Sequence, residues 1–208
     1  MDSETTLHRQ LPHAQNAWAI ALLALIAVGS YLVLHPYLGV THDARLYSLQ
    51  ALNHLHPELY GNDLFLRYGS QDDYTFFTPL YAAMIAWLGI EPAAALLTFL
   101  SQMAFLTAAL VLARKLMPTH LALMAVGLLV LLPGHYGSGK IFHYLEAFVT
   151  QRLFAESLVL LGLATWLGKR YLVTAALIAG AMLTHPLMGL AGVALIGTLA
   201  VLVPYWRS

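Results

Sequence analysis

The 208-residue chain is 60% apolar and 10% charged, with a mean hydropathy of +0.71, which places it outside the soluble globular range and in the integral membrane class. Ten basic and ten acidic residues cancel, and no basic cluster is present, which excludes a nucleic-acid partner because phosphate binding needs a concentrated positive surface. With no cysteine, disulfides, thiol catalysis and zinc-thiolate sites are excluded as well.

The polar segment 1–13 leads into an apolar run, Ala14–Leu34, that is longer than a signal-peptide core and is not closed by a small-residue cleavage site. It predicts a retained first membrane helix. Further apolar stretches follow at Phe76–Leu88, Pro92–Leu112, Leu121–Leu132, Leu153–Leu167, Leu172–Leu183 and Leu187–Val203. Gly89, Pro92, Pro118, Pro133, Gly134, Gly168 and Pro186 punctuate them as helix-end rules require. The alternating pattern of a membrane β-barrel is absent. The expectation is therefore an all-α, polytopic transmembrane helical bundle of about six to seven membrane helices, forming a single domain over 1–208 with an external loop at about 35–75.

That loop holds five of the ten acidic residues and four of the ten histidines. Thr41 is placed to cap a helix. Leu46, Leu49, Leu52 and Leu55 then form an apolar stripe, and Asp43, Tyr47, Gln50 and His54 share another face. The pattern predicts an amphipathic helix lying on the membrane surface. A carboxylate beside hydrocarbon is costly and marks a functional site by default, although spacing alone equally fits a solvated face. A turn signature at Pro57–Asp63 is followed by Asp72 and Asp73, weak candidates for a divalent cation that fit a helix cap equally well.

In the second half, Gly134–Lys140 matches the spacing of a nucleotide-binding loop, but Ile141 stands where magnesium needs a hydroxyl, so a flexible connection is expected. His143 and Glu146 stand three apart and would share a helix face, a weak metal signal. Arg152 and Glu156, four apart, suit an ion pair, and Arg152 also suits the grip of a lipid phosphate. His185 precedes Pro186 between two apolar segments and fits either a substrate contact or a helix end. Basic residues favour the cytoplasmic side. Arg9, Arg114-Lys115, Lys169-Arg170 and Arg207 fall together there if Phe76–Leu88 re-enters or fuses with its neighbour, which leaves the acid-rich loop outside on the side of His135–Glu146. If all seven segments cross, Asp43 and Glu146 lie on opposite faces.

Thr78-Pro-Leu-Tyr-Ala-Ala-Met-Ile-Ala-Trp-Leu-Gly89, following a first helix and an acidic loop with an amphipathic helix, resembles the N-terminal module of GT-C glycosyltransferases, as does Ala113-Arg114-Lys115-Leu116. These are polytopic enzymes that use lipid-linked sugars. Thr78-Pro79-Leu80 departs from the family's His-Pro-Pro-Leu, whereas Ala113–Leu116 keeps its Ala-Arg-Arg-Leu turn. Thr150–Ser157, Leu167–Arg170 and Thr184–Leu187 resemble a bacterial group of GT-C-like membrane proteins.

The resemblance implies a bacterial inner-membrane protein with its active loop on the external or periplasmic side, membrane lipid around it and a polyprenyl-phosphate sugar donor. It implies inverting transfer, with Asp43 as general base, Glu146 as a second acidic position, and a divalent cation in some members; Tyr47, Gln50 and His54 on the Asp43 face, together with Arg152 and His185, are the candidate substrate contacts. The family continues past a seventh helix, so the chain is expected to be a fragment or reduced form. The alternative expectation is a non-catalytic membrane protein, a small transporter or scaffold subunit, descended from that fold.

Overall fold

The computed structural model describes residues 18, 22, 25–26, 28–70, 74–132, 134–136 and 142–207, with side chains through 202 except at 136 and 142. The chain divides into two compact units, Met1–Pro36 and Tyr37–Ser208. In the first, residues 28–34 form a continuous helical run, α1, and the ring of its Tyr31 stands 5.1 Å from that of His35 just beyond its end.

Among its described residues, the regular structure of the second unit is helical apart from one two-residue ladder. Its elements are α2 (Ala44–Leu55), α3 (Pro57–Tyr60), α4 (Leu64–Tyr68), α5 (Phe77–Leu88), α6 (Ile90–Leu116), α7 (Thr119–Leu131), β1 (His135–Tyr136), β2 (Phe142–His143), α8 (Gln151–Leu167), α9 (Tyr171–Thr184) and α10 (Pro186–Arg207). The all-α expectation holds. β1 and β2 pair antiparallel, with His135 opposite His143.

Helix α8 is the central post, packed on α6, α9 and α10, while α6 also carries α5 and α7. Gly189 lets α10 approach α9 closely, because a Cβ there would lie 2.6 Å from Met182 Cα. Between α5 and α6 the chain reverses at Gly89, whose φ of +84° lies in the left-handed region that favours glycine. α5 is therefore a 12-residue arm folded against its neighbour, about 18 Å long at 1.5 Å per residue.

One described helix, Ile90–Leu116, is long and apolar enough to cross a membrane. Its 27 residues reach about 40 Å, beyond the roughly 30 Å of a hydrocarbon core. The other apolar helices tested, including α5, α7 and α9, are shorter. Leu and aromatic side chains such as Trp87, Leu123, Leu172 and Leu187 stand exposed along the unit.

One expectation about the acidic loop is corrected. Thr41 does not cap α2; Asp43 occupies that position, and its side chain makes no capping bond. The leucine stripe of this helix is kept in part, since Leu52 and Leu55 pack half-buried against the core. The buried residues of α2 are Ala44, Ser48, Gln50 and Ala51, Leu46 is exposed, and the helix packs against α5. Small side chains let the two helices approach, and a 3.0 Å hydrogen bond between the Ser48 and Tyr81 hydroxyls joins them.

Candidate functional site

Two loops converge at the start of α2 and of α8. The backbone N–H of Leu38 donates to Ala147 O at 2.8 Å, and the His42 ring stacks on Phe148 at 5.3 Å. From α6, Gln102 Nε2 donates to Glu146 O at 2.9 Å. Thr150 caps α8 by accepting from the Arg152 N–H at 3.2 Å. These contacts fix Asp43, Glu146 and Arg152 in one place although 109 positions separate the first from the last.

Arg152 is the hub. Its Nη1 donates to Glu146 Oε1, and its Nη2 donates to Asp43 Oδ2 at 3.3 Å. The guanidinium side chain is 9% exposed and the Glu146 side chain 4%, whereas Asp43 keeps 34% of its side chain open. His42 Nδ1 stands 2.9 Å from the other Asp43 oxygen. Glu146 Oε2 is buried and has no hydrogen-bond partner among the described residues. Burial pushes the Glu146 carboxyl up to about 7; Arg152 and the Thr150 hydroxyl oppose that shift, and Glu156 and Asp43 reinforce it. Burial likewise raises the Tyr47 phenol, against the influence of Arg152.

In front of this cluster lies a polar pocket of about 220 Å³ lined by Asp43, Tyr47, Gln50, Phe65, Gln151 and His185, among others. Gln50 Nε2 donates to Ser70 Oγ at 2.9 Å, tying the pocket floor to the loop after α4. His185 is held neutral: burial, then Arg152, push its imidazole down. Its Nδ1 accepts from the Met188 N–H at 3.4 Å, which caps α10 and leaves Nε2 to carry the ring proton.

A second cavity of about 480 Å³ is almost wholly apolar, lined by Phe76, Leu80, Leu100, Met103, Phe154 and Leu161 among others. The two cavities are neighbours. Phe77 lines the apolar cleft and packs edge-on against Tyr47 of the pocket, with ring centroids 6.0 Å apart. Thr184 of the cleft precedes His185 of the pocket in sequence.

The structure thus gathers Asp43, Tyr47, Gln50, Arg152 and His185, and leaves His54 exposed and outside the pocket lining. Asp43 and Glu146 meet at one guanidinium, which overturns the arrangement that put them on opposite faces. The two basic turns also adjoin, since Lys115 Nζ lies 3.9 Å from where a Cβ on Gly168 would stand.

His143 and Glu146 do not share a helix face, because His143 ends β2 and Glu146 lies in the turn beyond it. The His143 Nδ1 accepts from the Leu145 N–H at 3.0 Å, and its ring stands 4.7 Å from that of His135. Asp72, Asp73 and most of Gly134–Lys140 lie outside the described residues. Arg152, read as suited to pair with Glu156, bonds Glu146, six residues before it, and Asp43 across the fold. Missed in the sequence were Thr150, Gln151 and Gln102. The Thr150-Gln151-Arg152 run directly before an apolar helix is the capping signal that announces the first two.

The cluster does not fit a divalent cation. Asp43 already meets a guanidinium, whose charge repels a metal, and no group of three or more His, Cys, Asp or Glu able to hold one occurs among the described residues. No protein-family model matches this chain, and comparisons with curated proteins and with solved structures gave no significant match.

Proposed function

We propose that the protein is a polytopic membrane glycosyltransferase module of GT-C type, transferring a sugar from a polyprenyl-phosphate donor to an acceptor on the external face of a bacterial inner membrane. The observation that carries this reading is the adjacency of the polar pocket and the apolar cleft. A ligand with a phosphate-bearing head and a long hydrocarbon tail would set its head in the polar pocket and its tail in the apolar cleft. The apolar α6, the shorter apolar helices packed beside it and the exposed leucines support the multi-span bundle. The adjoining basic turns support a cytoplasmic placement of that end, with the Asp43 pocket outside.

In this mechanism Asp43 is the general base. It lines the pocket, one-third of its side chain stays open, and the Arg152 guanidinium stands beside it. It takes the acceptor hydroxyl proton as that oxygen attacks the anomeric carbon and the polyprenyl phosphate leaves. Arg152, directly behind Asp43, meets the charge that grows on the departing phosphate. Tyr47, Gln50, Gln151 and His185 supply hydrogen bonds to sugar hydroxyls.

A second reading, a non-catalytic descent of the same fold, is favoured by one observation: both Asp43 oxygens are engaged, by His42 and Arg152, as in a purely structural clamp. The test separates the two. Membranes carrying the wild-type chain should release polyprenyl phosphate from a panel of polyprenyl-phosphate sugars, and Asp43→Asn should stop that release while the purified variant stays folded. Equal release by the variant removes the catalytic reading in favour of the clamp.

A further inference from the structure

Arg152 binds two carboxylates at once, so the cluster carries one net negative charge when both are ionised. A phosphate diester entering the pocket adds another. Within a few ångströms and largely out of water, that excess is unfavourable, and either the ligand is rejected or one carboxylate is neutralised.

We propose that a phosphate-diester ligand draws the Arg152 guanidinium away from Glu146, and that Glu146 takes up one proton from solvent as it does so. The inference rests on the reading of the pocket as the seat of a lipid-linked phosphate. Its geometry singles out Glu146 over Asp43. Asp43 is one-third exposed and keeps His42 as a partner when Arg152 swings to the ligand. Glu146 is nine-tenths or more buried, and its Oε2 has no hydrogen bond among the described residues. Deprived of Arg152, an ionised Glu146 would be a buried and unpaired charge, which proteins avoid by protonation. The unpartnered oxygen is where that proton is carried.

The surrounding charges point the same way. Asp43 and Tyr47 face Glu146 from α2, and Glu156 from α8; Glu156 and Asp43 add negative charge that disfavours the Glu146 anion, and with Arg152 drawn away only the neutral Thr150 hydroxyl opposes them. Gln102 of α6 is uncharged and contacts only the Glu146 carbonyl. His143 and Tyr144 precede it in its own loop, with the His143 Nδ1 engaged by backbone. His185, on the link between α9 and α10, is held neutral and so supplies no compensating charge. Burial that pushes Glu146 up to about 7 puts its proton uptake in the physiological range.

The test uses the purified full chain in detergent and farnesyl methyl phosphate, a diester with one fixed charge between pH 5 and 9. Calorimetry in buffers of different ionisation enthalpy counts the protons taken up per ligand. The expected count approaches one at pH 8 and falls toward zero at pH 5.5, with affinity dropping about tenfold per pH unit above 7. Glu146→Gln should bind as the wild type does at pH 5.5 and show no pH dependence. His42→Gln and His185→Gln should keep the slope even where affinity changes.

Ligand binding without proton uptake at pH 8 overturns the coupling and leaves the phosphate site standing, as does a slope that survives in Glu146→Gln. Failure of the wild type to bind at any pH, or equal binding of farnesol, overturns the phosphate site and the coupling together. The proton count on the wild type decides the matter even if the Gln variant does not fold.

Discussion

The polar pocket and the apolar cleft share the Tyr47–Phe77 boundary and are built by opposite means. The pocket depends on three charged groups from separate segments, two of them buried, and on loops pinned by single hydrogen bonds. The cleft is a gap between helix faces, lined by leucine, methionine and phenylalanine. A pocket of the first kind responds sharply to one lost atom, since each charge is the others' solvent. The cleft responds in proportion to the volume or area changed. Head and tail of one ligand would therefore be recognised by two kinds of physics, specific at one end and graded at the other.

The comparison breaks most visibly at Asp43. If the pocket performs general-base chemistry, Asp43→Asn should lower transfer by about 10²–10⁴-fold, measured as release of polyprenyl phosphate, with circular dichroism unchanged. Next in size is Arg152→Gln, which strands the buried Glu146 without its cation. The expected loss is about 3–5 kcal/mol of stability, read from unfolding of the detergent-solubilised protein. A variant as stable as the wild type at pH 8 would mean that the hub contributes nothing to the fold.

Glu146 gives the pocket a pH dependence that the cleft lacks. Its unfolded carboxyl titrates near 4.5 and its folded one near 7, so between those values the folded chain holds more protons. Stability from this group is therefore highest at the acid end of the window and is lost as pH rises, by about 1.4 kcal/mol per unit, until both states are ionised above 7. Melting temperatures taken from pH 5 to 8 should fall, and the fall should flatten in Glu146→Gln. In the cleft, Ala104→Phe should weaken binding of a long-chain polyprenyl phosphate, by about 0.8 kcal/mol for each methylene displaced, with little effect on a short-chain analogue. An equal effect on both chain lengths would show that the tail does not lie there.

Helix existence was legible because the apolar runs are long and their ends carry glycine or proline. Asp43, Tyr47 and Gln50 were legible as one helix face, since 3.6-residue periodicity is local. Arg152 stood out as a cation opening an apolar helix. What the sequence did not carry was the convergence: nothing in the spacing of Asp43, Glu146 and Arg152 says that they meet, because that depends on how α2 and α8 pack. The leucine spacing of α2 was legible in part, since Leu52 and Leu55 pack on the core. Periodicity reports which residues share a face, not whether that face meets lipid or protein. The residues most deeply buried are Ala44, Ser48 and Ala51, on a helix that packs against α5. His54 fits the periodicity as well as Gln50 does, but it lies a turn further along α2 and escapes the pocket.

The smallest expected effect lies where pocket and cleft are joined. Tyr81 is fully buried in α5, and its hydroxyl meets Ser48 of α2 at 3.0 Å, so it ties the helix that carries Asp43 and Tyr47 to the helix that begins at the cleft residue Phe77. Tyr81→Phe leaves the buried Ser48 hydroxyl without this partner and should cost about 1–2 kcal/mol. Ser48→Ala in the same background removes the stranded group, so the double variant should recover part of that loss. A double-mutant cycle on unfolding free energies measures the coupling. Additive single effects would mean that α2 is held on α5 by apolar packing around Ala44 and Ala51 alone. Non-additive effects would make the hydroxyl pair a specific register between the helix that presents the charges and the helix that borders the cleft.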